Sequence, residues 1–235
     1  MLKHFMQVVV GSAFCLYLPA RPALARGHEP LTLDDARRLV ATLDPSPGFP
    51  LTVNAQVVAR LNRLVADPGR ATDVREALRR MEKLRPMLTS YLSKYKLPDE
   101  LLAVPLVESG YENLTQSEWE ERVGDADSVG AGLWMFIRPT ARNFGLVVNT
   151  KIDERLDLQQ ETDAAMRLLS SDMLRFNNWL LALAAYNQGT TTVAEAIQSG
   201  GTRNPWKLVQ KGLLNDYIAA VTAAAIVIKN PRLLD

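Results

Sequence analysis

The sequence is poor in the side chains that carry most nucleophilic and metal chemistry. Its 235 residues include one cysteine, Cys15, and two histidines, His4 and His28. Alternating apolar and polar runs of the strand kind are nearly absent, and no tandem repeat is visible. No basic stripe of the sort nucleic-acid binding needs runs along the chain, whose formal charge is only +1. A hydrophobic content of 47% with 23% charged residues is that of an ordinary globular protein, which argues against global disorder.

The first 25 residues deepen the shortage. "MLKHFMQ" carries Lys3, "VVVGSAFCLYL" is an apolar run, and "ARPALA" closes with small residues at Ala23 and Ala25. This is the three-part pattern of a secretory signal, with cleavage expected after Ala25 and export to the periplasm. The apolar run falls short of the about 20 residues of a membrane-spanning helix, so no stable membrane span is expected after cleavage. Phe14 before Cys15 is not the small residue that lipidation requires. Cleavage removes Lys3, Arg21, Cys15 and His4, turning the formal charge to −1 and leaving His28 as the one histidine. A mature chain of this kind has no Ser-His-Asp triad, no Cys-His pair, no disulfide and no His-based metal site. No cofactor and no metal are expected. Catalysis, if present, falls to carboxylates, hydroxyls or amines.

What remains is helical. "TLDDARRLVATL" begins with Thr32 as an N-cap and Asp35 three residues on. "NAQVVARLNRLVAD" follows, with "PGR" expected to end it. A longer helix is expected from about Thr72, with Pro86 expected to break or kink it. "LPDELLAVPLVES" starts on Pro98, and "LWMFIRPTARNFG" is expected as helix, restarting near Pro139. "LQQETDAAMRLLSSDMLRF" has Ala164, Ala165, Leu168, Leu169, Met173 and Leu174 as its expected core face. "WLLALAAYNQG", "TTVAEAIQSG" and "NDYIAAVTAAAIVIKN" complete an all-α class with room for one small hairpin. Residues 26–96 carry no catalytic pattern and are expected to form a helical extension packed on a catalytic lobe spanning 97–235. Between them and the chain end lies a polar stretch, 115–129, suited to a lid or a partner-binding loop.

One carboxylate sits where the pattern calls for an apolar side chain. Leu101, Val104 and Pro105 lie seven, four and three positions before Glu108, hence on one helical face. Burial and the negative end of the helix dipole both raise the pKa of a carboxyl so placed, which keeps it protonated for donation to a leaving oxygen. Gly110 lets the chain leave the helix there. A solvated helix-end carboxylate explains the same residue equally well from position alone. Two later segments are also suggestive. "GAGLWMF", 130–136, is a glycine turn that lacks the spacing and the Lys of a phosphate loop. "AAYNQG", 184–189, places Tyr186 and Asn187 at the end of an apolar helix.

Taken in order, a helix ending in "ES", then "GxGLW", "TARNFGL" and "AYNxG", these segments resemble the catalytic domain of soluble lytic transglycosylases, on the membrane-bound D-type branch. The resemblance runs strongly from Leu97 to Asn187. It implies an all-α, lysozyme-like fold and the cleavage of peptidoglycan glycan strands at the MurNAc–GlcNAc β-1,4 bond. It also implies Glu108 as the catalytic acid that then serves as base, with formation of a 1,6-anhydro-MurNAc end. One carboxylate then suffices where ordinary glycosidases use two. Ser109, Gly132, Trp134, Met135, Tyr186 and Asn187 fall on the family's substrate-site positions, although a core role suits Trp134 as well. Met135 departs from the family, which usually has Gln there, and a thioether is a poor hydrogen-bonding group. That departure leaves open a catalytically weak, peptidoglycan-binding or scaffold protein. The carboxylates of "DERLD", 153–157, leave open a water-using muramidase.

Overall fold

The computed structural model describes residues 29–116 and 127–235. The signal segment and most of the polar stretch at 115–129 lie outside the described residues. Ten α-helices occur among them: α1 (Leu33–Val40), α2 (Ala55–Val65), α3 (Pro68–Tyr95), α4 (Ala103–Glu108), α5 (Arg138–Asn143), α6 (Leu158–Phe176), α7 (Trp179–Gln188), α8 (Thr190–Gly200), α9 (Pro205–Gln210) and α10 (Tyr217–Lys229). Short 3-10 turns precede α4 and α6 and follow α10. The expected hairpin reduces to isolated bridges, Leu114–Gly132, Ala131–Phe136 and Val148–Asp153, and no strand is present among the described residues. The all-α, lysozyme-like class stands.

The hub is α10. Its sequence is apolar all round, and every residue from Tyr217 to Val227 is buried, as expected for a helix enclosed by others. It packs against α2, α4 and α7. Arg60 on α2 ties the assembly at one end through Nε to Asp216, 2.8 Å away, just before α10. The 28 residues of α3 reach about 42 Å and lie against α6 and α2. The amphipathic α6 is clamped to the apolar α7 through a two-residue joint. Asn177 closes α6 in the left-handed conformation, and the Asn178 side chain accepts from Leu181 N to open α7.

Four expectations are corrected. "PGR" does not end α2; Pro68 is the first-turn proline of α3, and the Asp67 side chain caps that helix by accepting from Arg70 N. Pro86 does not end α3. It forfeits one backbone hydrogen bond, and Leu78 and Met81 before it and Leu88 and Leu92 after it are buried on the packed side, so tertiary contact outweighs the local penalty. Leu174 is 86% exposed, while Asp172, two residues earlier, is 1% exposed. The rest of the expected face holds, with Ala164, Ala165, Leu168 and Leu169 buried and Met173 packed against the core; only in the last turn does Asp172 take the place expected for Leu174. Finally, Leu133–Phe136 is a turn; helix begins only at Arg138. Gly132 and Met135 both adopt positive φ, +84° and +52°, which no helix tolerates.

Candidate active site

The short helix α4 delivers Glu108. Leu101, Val104 and Leu106 bury the helix in the core, and the chain then reverses through two successive left-handed residues, Gly110 at φ +59° and Tyr111 at φ +62°. Arg80 of α3 holds that reversal, donating from Nε to Gly110 O at 2.9 Å. Glu108 is left 6% exposed, in the wall of a cleft of about 480 Å³. Burial pushes its carboxyl up to about 7, and the buried Tyr217 hydroxyl of α10, facing it, pulls partly back. The dominant cause is desolvation.

Against the end of α4 stands the glycine turn, held by hydrogen bonds at successive peptide groups. Gly132 N donates to Leu114 O at 2.8 Å, and Ala131 N to Phe136 O at 3.1 Å. Leu133 N and Trp134 N donate to the buried carboxylate of Glu161 at 2.9 and 3.2 Å. The Ser109 hydroxyl donates to Leu133 O at 2.8 Å, which joins the turn to the end of α4. Tyr186 reaches across from α7 to donate from its hydroxyl to Trp134 O at 2.5 Å. A Cβ on Gly132 would stand 1.9 Å from Arg155 O and 2.2 Å from Glu161 Oε2, so only glycine fits.

The expected site residues thus divide. Glu108, Met135, Tyr186 and Asn187 line one cleft. Ser109, Gly132 and Trp134 lie behind its wall. Ser109 is spent on backbone carbonyls, and Trp134 is 1% exposed with its indole N–H donating to Thr162 Oγ1 at 3.0 Å. Asn187 accepts from Asn215 Nδ2 at 2.9 Å, which fixes its amide at the cleft end.

The "DERLD" carboxylates serve the scaffold. Asp153 pairs with the fully buried Arg155, Glu154 accepts from Val147 N, and Asp157 caps α6 through Gln159 N and Gln160 N. Arg155 also donates to Val129 O and Phe136 O, fastening the two ends of the glycine turn.

Sequence reasoning passed over four participants. Glu161 and Asp172 are carboxylates on the buried face of α6, eleven residues or about three turns apart. The signal that singled out Glu108, a charge on an apolar face, applies to both. Gln188 lines the cleft next to Asn187. Tyr217 starts α10 without any pattern to mark it.

This architecture has a known family. Residues 88–209 match the family described as Transglycosylase SLT domain, and the chain belongs to it. It is 28% identical over 158 residues to "Membrane-bound lytic murein transglycosylase D" of Escherichia coli (strain K12), covering 65% of this chain and 33% of that protein. The same figures hold for the protein of that name from Escherichia coli O6:H1. A "Putative tributyltin chloride resistance protein" of Alteromonas sp. (strain M-1) is 27% identical over 149 residues, 62% of this chain and 68% of that one. The chain spans about a third of the length of the Escherichia coli relatives.

Proposed function

We propose that this chain is an exported lytic transglycosylase that cleaves the MurNAc–GlcNAc β-1,4 bond of peptidoglycan glycan strands in the periplasm. One observation carries the reading: a buried carboxyl, Glu108, with its pKa raised to about 7, in the wall of a cleft of saccharide size. Family membership and the likeness to proteins named as murein transglycosylases support it. No helix among the described residues is long and apolar enough to cross a membrane.

The chemistry follows from the state of that one group. Protonated Glu108 gives its proton to the glycosidic oxygen as the C1–O bond breaks and the electron pair leaves with the oxygen. The carboxylate so formed removes the proton of the muramoyl C6 hydroxyl while O6 closes onto C1. The product is a 1,6-anhydro end, and Glu108 is restored to its starting state. A carboxyl near pKa 7 serves both halves of this cycle, because neither proton transfer is then strongly uphill. Tyr217, facing Glu108, supports the anionic phase. Tyr186 and Asn187 border the bound sugar, and helices α1–α3 serve as the platform on which the catalytic lobe packs.

Glu108→Gln tests the reading directly. Purified wild type is expected to release anhydro-ended muropeptides from sacculi, and the folded Glu108→Gln chain none. A variant that keeps full activity would overturn the assignment, and wild type that binds sacculi without soluble product would make the chain a binding protein.

A further inference from the structure

The cleft holds a second carboxylate that nothing in the scaffold uses. Asp172 lines the same cavity as Glu108, is 1% exposed, and its Oδ2 has no hydrogen-bond partner among the described residues. A buried polar atom is ordinarily paired, so an unpaired carboxylate oxygen calls for a partner that arrives from elsewhere. The comparison within α6 is informative. Glu161, about three turns earlier on the same buried face, is engaged by two backbone N–H groups, while Asp172 is engaged by none. Leu168 and Leu169, one turn before Asp172, show that apolar side chains suit this face. Packing therefore gives no reason for a charge at 172. The adjoining wall repeats the feature: Gln188 accepts from Asn215 N through Oε1, but its buried Nε2 has no partner. Met135, which also lines the cleft, supplies no strong donor or acceptor. Polar recognition is thus displaced from the glycine turn to the α6–α7 wall.

We propose that Asp172 is a substrate-binding residue, which accepts a hydrogen bond from an N–H or O–H of the saccharide lying in the Glu108 cleft. The assignment rests on the glycan-cleaving reading above and adds a specificity contact to it. Burial holds the Asp172 carboxyl up at about 7, with the nearby Arg175 guanidinium drawing it down. The titratable or charged groups that line the cleft are Glu108, Asp172, Arg175 and Tyr186, and Tyr186 is held well above its ordinary range by burial. With Glu108 replaced by Gln, Asp172 is the one lining group that titrates near neutrality. Glu161, behind the wall, is raised in the same direction, so the part of the pH dependence of saccharide binding that Asp172→Asn removes is what reports on Asp172, and the ionised form is the better acceptor.

The test is calorimetric titration of soluble GlcNAc–MurNAc oligosaccharides into the full chain carrying Glu108→Gln, from pH 5 to 9. Affinity is expected to rise about tenfold across neutrality, and Asp172→Asn, added to the same background, is expected to remove the pH dependence while keeping one acceptor. Asp172→Leu is expected to weaken binding about tenfold at pH 8 with no loss of thermal stability. In the active chain it should raise KM about tenfold with kcat within threefold. Binding that is independent of pH and unchanged in both Asp172 variants would overturn the proposal, leaving the glycan-cleaving reading intact. Loss of reducing-ended product alone, with binding unchanged, would also overturn it and make Asp172 the base of a hydrolytic reaction. Failure of the Glu108→Gln chain to bind any glycan would overturn the parent reading itself.

Discussion

At the scale of the residue, the chemistry proposed above turns on how little water reaches Glu108. A carboxyl in water is ionised at neutral pH and has no proton to give; moving it to about 7 leaves roughly half of it protonated there. Activity should therefore fall as pH rises through about 7, approaching tenfold per unit above it, because in the proposed cycle the protonated form starts the reaction. A kcat–pH profile on purified sacculi checks this, and a rate that stays flat to pH 9 would contradict it. Met135 makes a second residue-scale case. It lines the cleft with φ +52° and offers a thioether where the family usually carries an amide. Met135→Gln adds a donor and an acceptor without changing backbone demand. It should lower KM by about fivefold, the worth of one net hydrogen bond of about 1 kcal/mol. Glu108 was legible in the sequence because a charge interrupted an apolar face. Asp172 lies on an equally apolar face, but Leu174 beside it offers the same turn an apolar candidate, and the carboxylate was passed over for it.

At the scale of the element, the decisive piece is the irregular turn between α4 and α5. Helices here follow from periodicity and caps, and most were legible: α6 spans Leu158–Phe176 as expected, and Thr32 and Asp35 form the expected capping box. The glycines marked the start of the turn, but its extent was not legible, since "LWMF" has the composition of a buried helix. Its conformation is imposed from outside, by Glu161, Ser109, Tyr186 and Leu114, each distant in sequence. Such contacts override local propensity. Gly132→Ala should break this arrangement. The added methyl meets backbone at Arg155 O, which cannot swing aside as a flexible side chain does, and the φ of +84° is strained for any Cβ. A loss of roughly 2–4 kcal/mol is expected, read from urea denaturation, together with loss of turnover as the wall opposite Glu108 shifts.

At the scale of the whole molecule, buried acids set the pH dependence of stability. Glu108 rises from 4.5 to about 7 and Asp172 from 3.8 to about 7, both through burial. Between about pH 4 and 7 the native state therefore holds protons that the unfolded chain has released. With the unfolded state binding fewer protons, unfolding free energy falls as pH rises, and each group forfeits on the order of 3–5 kcal/mol by pH 8. Glu161, raised in the same direction, adds to that slope. Asp153 and Asp163 oppose it. Hydrogen bonds from Arg155 to the first, and from Lys94 and Tyr95 to the second, hold them below the usual range. Their stabilisation is complete above about pH 4 and is lost only below it. The two sets of groups place maximum stability on the acid side of neutrality, near pH 4–5, lower than the usual range for globular proteins. Urea denaturation from pH 3 to 9 should show that maximum. The Glu108→Gln, Asp172→Asn double variant should have a shallower decline between pH 5 and 8, with the share of Glu161 remaining, while keeping the acid limb. An unchanged decline in the double variant would mean that the cleft acids are hydrated in solution and the raised pKa values are not theirs.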